Sequence, residues 1–177
     1  MMNAPVLLDK VQYKGYSVLH EYVTESYFRI AGNQDGTVFS LEREAMSGPV
    51  RKQFEMTLYQ DYVPNARAYG IFEEGILVAF IELDHETWNN RLRVTELYVI
   101  EALRRKGLGT KLIAFGIAEA KRLNARMLIL ETQTLNANAV SFYLKTGFFL
   151  CGFDLYSYSD KDPSNHEVRL EMGMMIR

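Results

Sequence analysis

Between Val94 and Leu123 the chain changes character twice, and few folds accommodate that succession. The apolar, β-branched run VTELYVI, Val94 to Ile100, has the composition of a strand. After a short bridge come three cations, Arg104, Arg105 and Lys106, then Gly107 and Gly109 one residue apart. From Leu108 to Leu123, Leu112, Ile113, Phe115, Ile117, Ala120 and Leu123 recur at roughly helical spacing among polar residues, and Asn124 closes the run. A helix opened this way presents unpaired N–H groups and the positive end of its dipole. The glycines let a ligand come close without meeting a Cβ, so the terminus suits phosphate or pyrophosphate. Leu112 stands where a dinucleotide fingerprint needs its third glycine, and the Gly-Lys-Ser/Thr of a Walker loop is missing.

The rest of the sequence surrounds this unit with further strands. YSVLHEYVTESYFRI and TVFSLEREAM read as a hairpin about the turn-rich AGNQDG, and SGPVRKQFEMTLYQDYVPN is expected to hold a short helix before Pro64. ARAYGIF, GILVAFIELD and RLRVTELYV read as an antiparallel meander. RMLILET is a short, almost wholly apolar strand of the kind covered on both faces, and NANAVSFYLKTG is a second helix ended by Gly147. FFLCGFDLYSYS and EVRLEMGMMI close the chain as strands, with Cys151 expected as a buried thiol. The alternation of strand and helix in the second half predicts a mixed α/β (α+β) layer structure. The length of 177 residues suits one domain, 1–177, with a hairpin and helical segment over 1–65 and a core over 66–177.

Charge and composition exclude several classes. A formal net charge of -2 gives no cationic excess to drive nucleic-acid binding. No run approaches the roughly 20 apolar residues that span a bilayer, and the single cysteine excludes an intrachain disulfide framework and a cysteine-based zinc site. The chain is expected to be cytoplasmic, without a membrane or nucleic-acid partner. His20, His85 and His166 lie far apart in the sequence, and no metal is assigned.

Arg104-Arg105-Lys106-Gly107-Leu108-Gly109 resembles the Arg/Gln-x-x-Gly-x-Gly/Ala signature of the GNAT superfamily of N-acetyltransferases, with the strand before it and the helix after it. Leu135 to Phe148, LNANAVSFYLKTGF, is similar to that superfamily's second motif, with Asn136, Ala139, Tyr143 and the Gly147-Phe148 pair in order. A narrower resemblance, carried by WNNRLRVTELYVI, the strand end LETQ and the length of the closing region, is to streptothricin acetyltransferases.

The resemblance implies a GNAT-like, mostly antiparallel central sheet with helices on both faces, and acetyl-CoA as co-substrate. It implies that the coenzyme's pyrophosphate rests on the N–H groups of Lys106, Gly107, Leu108, Gly109 and Thr110, beside Arg104 and Arg105, while its thioester arm lies along Leu97, Tyr98 and Val99. It implies Glu96 as the base, Tyr143 as the acid or thiol contact, and Asn136 as a pantetheine contact; Asn136 also reads as a plain helix cap. Glu131 is a structural residue, a substrate contact or an alternative base, and Trp88 either lines the acceptor pocket or packs. An ordinary glutamate is a weak base for an ammonium, so Glu96 needs burial to raise it. The expected acceptor is a small cationic amine, attracted by Asp154, Asp160, Asp162 and Glu167. Acetylation of a protein N-terminus or lysine, and a non-catalytic coenzyme A sensor, stay open as alternatives, as does a homodimer, with Met172, Met174 and Met175 filling either a strand face or a dimer seam.

Overall fold

The computed structural model describes residues 4–177, and the chain divides into two compact units. The first comprises the chain up to His20, Phe54–Leu130 and Met174–Arg177; the second comprises Glu21–Gln53 and Glu131–Gly173.

In the first unit, β1 (Val6–Leu7), β4 (Arg67–Glu73), β5 (Ile76–Glu86), β6 (Arg91–Val99) and β7 (Met127–Gln133, whose last residues pass into the second unit) lie in the order β1-β4-β5-β6-β7. All these pairs are antiparallel except β6 with β7. Helix α2 (Leu108–Arg122) buries Leu108, Leu112, Gly116 and Ala120, a stripe four residues apart that faces the sheet. Gly116 permits that close packing, because a Cβ there would lie 3.3 Å from Ile81 Cδ1. The full burial of Leu112 and Ile81 contributes about 1.5–3 kcal/mol each.

The other face is covered by Leu8, Leu58, Tyr59, Val63 and Ala66 packing on Ala68 and Phe80. The helix expected before Pro64 does not form. Instead β3 runs from Phe39 to Thr57, and residues 58–66 follow as turns. Tyr59 fixes these turns: its hydroxyl donates to Leu8 O (2.6 Å) and accepts from Ala68 N–H (3.0 Å). A short helix absent from the sequence reading, α1 (Lys10–Tyr13), is capped by Asp9, which accepts from Gln12 N–H at 3.0 Å.

The second unit contains most of the long hairpin β2 (Ser17–Gly32) and β3, helix α3 (Ala137–Lys145), and β8 (Phe149–Asp154) antiparallel to β9 (Arg169–Met175). Its core is Phe28, Ala137, Val140, Val168 and Leu170. Cys151 is exposed rather than buried, since a register shift in the β8–β9 ladder falls at this residue. No helix among the described residues is long and apolar enough to cross a membrane.

Candidate active site

The glycine loop starts from a fixed point. Ile100 N–H donates to Val78 O at 2.9 Å, and the 3-10 turn Glu101–Leu103 follows, with Arg104 N–H donating to Glu101 O at 3.1 Å. Arg105 (φ 62°) and Gly107 (φ 89°) then take left-handed conformations that turn the chain into α2. Gly107 is the N-cap, so the N–H groups of Leu108, Gly109 and Thr110 have no intrahelical acceptor, whereas Lys111 N–H closes the first turn on Gly107 O at 3.0 Å. A Cβ at Gly107 would meet nothing within 4 Å, the first turn carries no carboxylate, and Arg105 and Lys106 are exposed. Donors, cations and open space fit a diphosphate. Arg104 does something different: its Nε donates to Val99 O at 3.1 Å, tying the loop back to the strand. Leu108, 2% exposed, anchors the other side.

β6 keeps its pairing with β5 as far as Ala79–Val99, but its ladder with β7 stops at Val94–Leu130. Beyond that point Leu97, Tyr98 and Val99 retain the β5 ladder alone of these two, and an extended thioester arm can add along the other edge as a strand does. The β5–β6 register also shifts here, with Leu83 opposite Val94 and Glu82 opposite Glu96, leaving Thr95 as the extra residue. The bulge places Thr95 and Glu96 together against Glu82.

Glu96 is half-buried, and its carboxyl is pushed up to about 8, first by burial and then by the charge of Glu82. An ammonium of ordinary pKa 10.4 passes its proton to an ordinary glutamate at a cost of about 8 kcal/mol, and to Glu96 at about 3 kcal/mol. Arg93, one of the partners a surface Glu96 would have, is held instead by Glu86, at 2.5 Å.

Glu82 was not singled out from the sequence. It is 1% exposed and accepts from Tyr59 N–H (2.6 Å) and Thr95 Oγ1 (2.8 Å). Burial pushes its carboxyl up, and these two hydrogen bonds hold it partly back. The available signal was an acid inside ILVAFIEL, since a strand that apolar gives a lone carboxylate nowhere exposed to go.

Tyr98, two residues beyond Glu96 and on the same side of the strand, stacks on Phe80 (5.2 Å between ring centroids) and meets His20 edge-on (6.1 Å). His20 stacks on Phe54 at 4.9 Å and Tyr16 meets Phe80 at 6.4 Å. Burial, followed by the Arg104 charge, holds His20 down to about 4, so it is neutral at pH 7. Trp88 lies at the far turn of the β5–β6 hairpin, 83% exposed, under the Arg91 guanidinium. Roughly 17 Å of strand separates Arg91 from Glu96. Trp88 is therefore not brought to Glu96, and it does not pack in the core.

In the second unit, Asn136 caps α3, its Oδ1 accepting from Ala139 N–H at 3.2 Å. Tyr143 is 9% exposed on α3, with its ring against Phe148 and Phe142. Both oxygens of Glu131 are engaged, one by Arg169 Nε at 2.9 Å and the other by the Tyr158 hydroxyl. That leaves Glu131 suited to fixing β7 and less suited to taking a proton. Of the four acids expected to attract a polycation, Asp162 is fully buried, accepting from Tyr158 N–H and Ser159 Oγ, and Glu167 pairs with Lys52. Asp154 and Asp160 are exposed. Among the described residues no group of three or more His, Cys, Asp or Glu is arranged to hold a metal ion.

Residues 36–148 match the acetyltransferase (GNAT) family. The streptothricin acetyltransferase of Escherichia coli is 30% identical over 151 residues, covering 85% of this chain and 83% of that one. Streptothricin acetyltransferase A of Bacillus subtilis strain 168 is 29% identical over 131 residues, covering 72% and 75%. The crystal structure of nourseothricin acetyltransferase superposes with a TM-score of 0.77 at 26% identity over 98% of both chains. A protein of Bacillus anthracis str. Ames solved in complex with acetyl coenzyme A superposes with a TM-score of 0.75 at 23% identity over 98% and 97%. With its mixed, mostly antiparallel sheet and an open helix terminus after the glycine loop, this chain belongs to the acetyltransferase (GNAT) family: it is an acyltransferase.

Proposed function

We propose that this enzyme transfers an acetyl group to a primary amine of a small cationic molecule of the streptothricin kind. The observation that carries the reading is Glu96, a carboxyl of raised proton affinity on the strand that leads straight into the open terminus of α2. The relatives named for streptothricin supply the substrate class.

The N–H groups from Lys106 to Thr110 hold the diphosphate, with Arg105 and Lys106 adding positive charge. Acetyl-CoA bound there supplies an activated acetyl carbonyl and a thiol leaving group. Glu96 takes the ammonium proton, which frees the nitrogen lone pair to form the new N–C bond as the C–S bond breaks. A backbone N–H in Leu97–Val99 donates to the carbonyl oxygen as charge gathers on it. Tyr143, assigned from its place in the second motif, gives the departing sulfur its proton, and the second proton that the nitrogen sheds as the amide forms restores the phenol. Asn136, already a helix cap, keeps that motif's turn in place.

The test is thiol release from acetyl-CoA against a panel of amines: streptothricin, polyamines, aminoglycosides and N-terminal peptides. Streptothricin is expected to give the highest kcat/KM. Faster turnover of a peptide, or no turnover with any amine, overturns the reading.

A further inference from the structure

A carboxylate buried to 1% exposure, away from the loop and from the thioester edge, calls for a reason. Glu82 is fixed from two sides, by Tyr59 N–H and the Thr95 hydroxyl, and it faces Glu96 across the ladder only because the bulge inserts Thr95. Both bonds come from donors, so they favour the ionised form of Glu82. When the pair loses its first proton, that proton therefore leaves Glu82, and Glu96 keeps the other.

We propose that Glu82 is a positioning residue for acetyl transfer, a fixed negative charge that acts through Glu96 and makes it a strong enough base for an ammonium. This rests on the reading of Glu96 as the base. The rise in Glu96 agrees in sign, with Glu82 as its second cause after burial. The groups around the pair leave this charge in command. Asp84 on the same strand adds to the negative field at Glu82, and Lys10 of α1 offsets part of it. Tyr59 and Tyr16 are pushed up and His20 is held down to about 4, so all three are neutral at pH 7. Arg104 lies near His20 and is bound to Val99 O.

The experiment follows the Glu96 carboxyl by carbon-13 NMR titration of the full chain without ligands, its signal assigned by loss in Glu96→Gln. Alongside it, kcat/KM is measured against pH with the best acceptor. In Glu82→Gln the Glu96 midpoint should move toward acid by about one unit or more, and the rising limb of the kinetic profile should move with it. If Glu82→Gln does not fold, Thr95→Val serves, because loss of one donor lets Glu82 hold its proton longer and should move the Glu96 midpoint the same way by a smaller step. An unmoved midpoint in the variant that folds overturns the role of Glu82. The midpoint shifting while no amine is acetylated by the wild type leaves the electrostatic pair standing and removes the reading of Glu96 as base.

Discussion

Glu96 affects stability as well as chemistry. Its carboxyl is near 8 in the folded chain against an ordinary 4.5, so the folded state binds this proton more tightly than the unfolded state does. That contribution is complete below about pH 4.5 and is lost as pH rises through 8, where a second negative charge must sit opposite Glu82. Glu96→Gln should therefore leave stability unchanged at pH 4.5 and raise it at pH 9 by about 2 kcal/mol once relaxation and water entry are allowed for, read as a higher melting temperature at pH 9 alone. Equal shifts at both pH values would show that Glu96 carries no buried charge. From the sequence, Glu96 was legible as a candidate base whose role required burial, and the burial is there, but the second cause of its raised carboxyl was not legible. Glu82 becomes its neighbour only through an extra residue in β6, and a one-residue change of register has no signature in composition. Cys151 was misread for the same kind of reason, a ladder irregularity in β8–β9 that an alternating pattern does not disclose.

Whole elements were clearer where periodicity and punctuation agreed. The stripe from Leu108 to Ala120 and the glycines before it set out α2 and its start, and Gly147 (φ 97°) marks the end of α3 as expected. The segment from Ser47 to Thr57 misled because Gly48-Pro49 looks like a break. In the two-stranded β2–β3 ribbon that pair continues the strand, with burial alternating residue by residue from Glu44 to Gln53. The hinge between β6 and α2 yields its own prediction. Gly107→Val places a β-branched residue at φ 89°, where L side chains are strained, and fills the space before the helix terminus. Calorimetric affinity for acetyl-CoA should fall by tenfold or more while the melting temperature falls only slightly. Wild-type affinity in that variant would move the diphosphate away from this turn.

For the whole molecule, the order of strands and helices was readable because local patterns repeat along the chain, whereas its division into two units was not. β2, β3, β7 and β9 each pass from one unit into the other, so no linker marks the boundary. With acetyl-CoA on the proposed α2 terminus, which the unfolded chain does not have, ligand at a hundred times its Kd should stabilise folding by about 2.7 kcal/mol. A melt followed by circular dichroism checks this, and an unchanged midpoint would contradict it. The choice of probe follows from Trp88. It is the only tryptophan, 83% exposed beneath Arg91, so its indole is already bathed in water in the native chain. Intrinsic tryptophan fluorescence should thus emit to the red before any denaturant is added and barely change on unfolding, leaving this enzyme almost silent to the commonest optical thermometer.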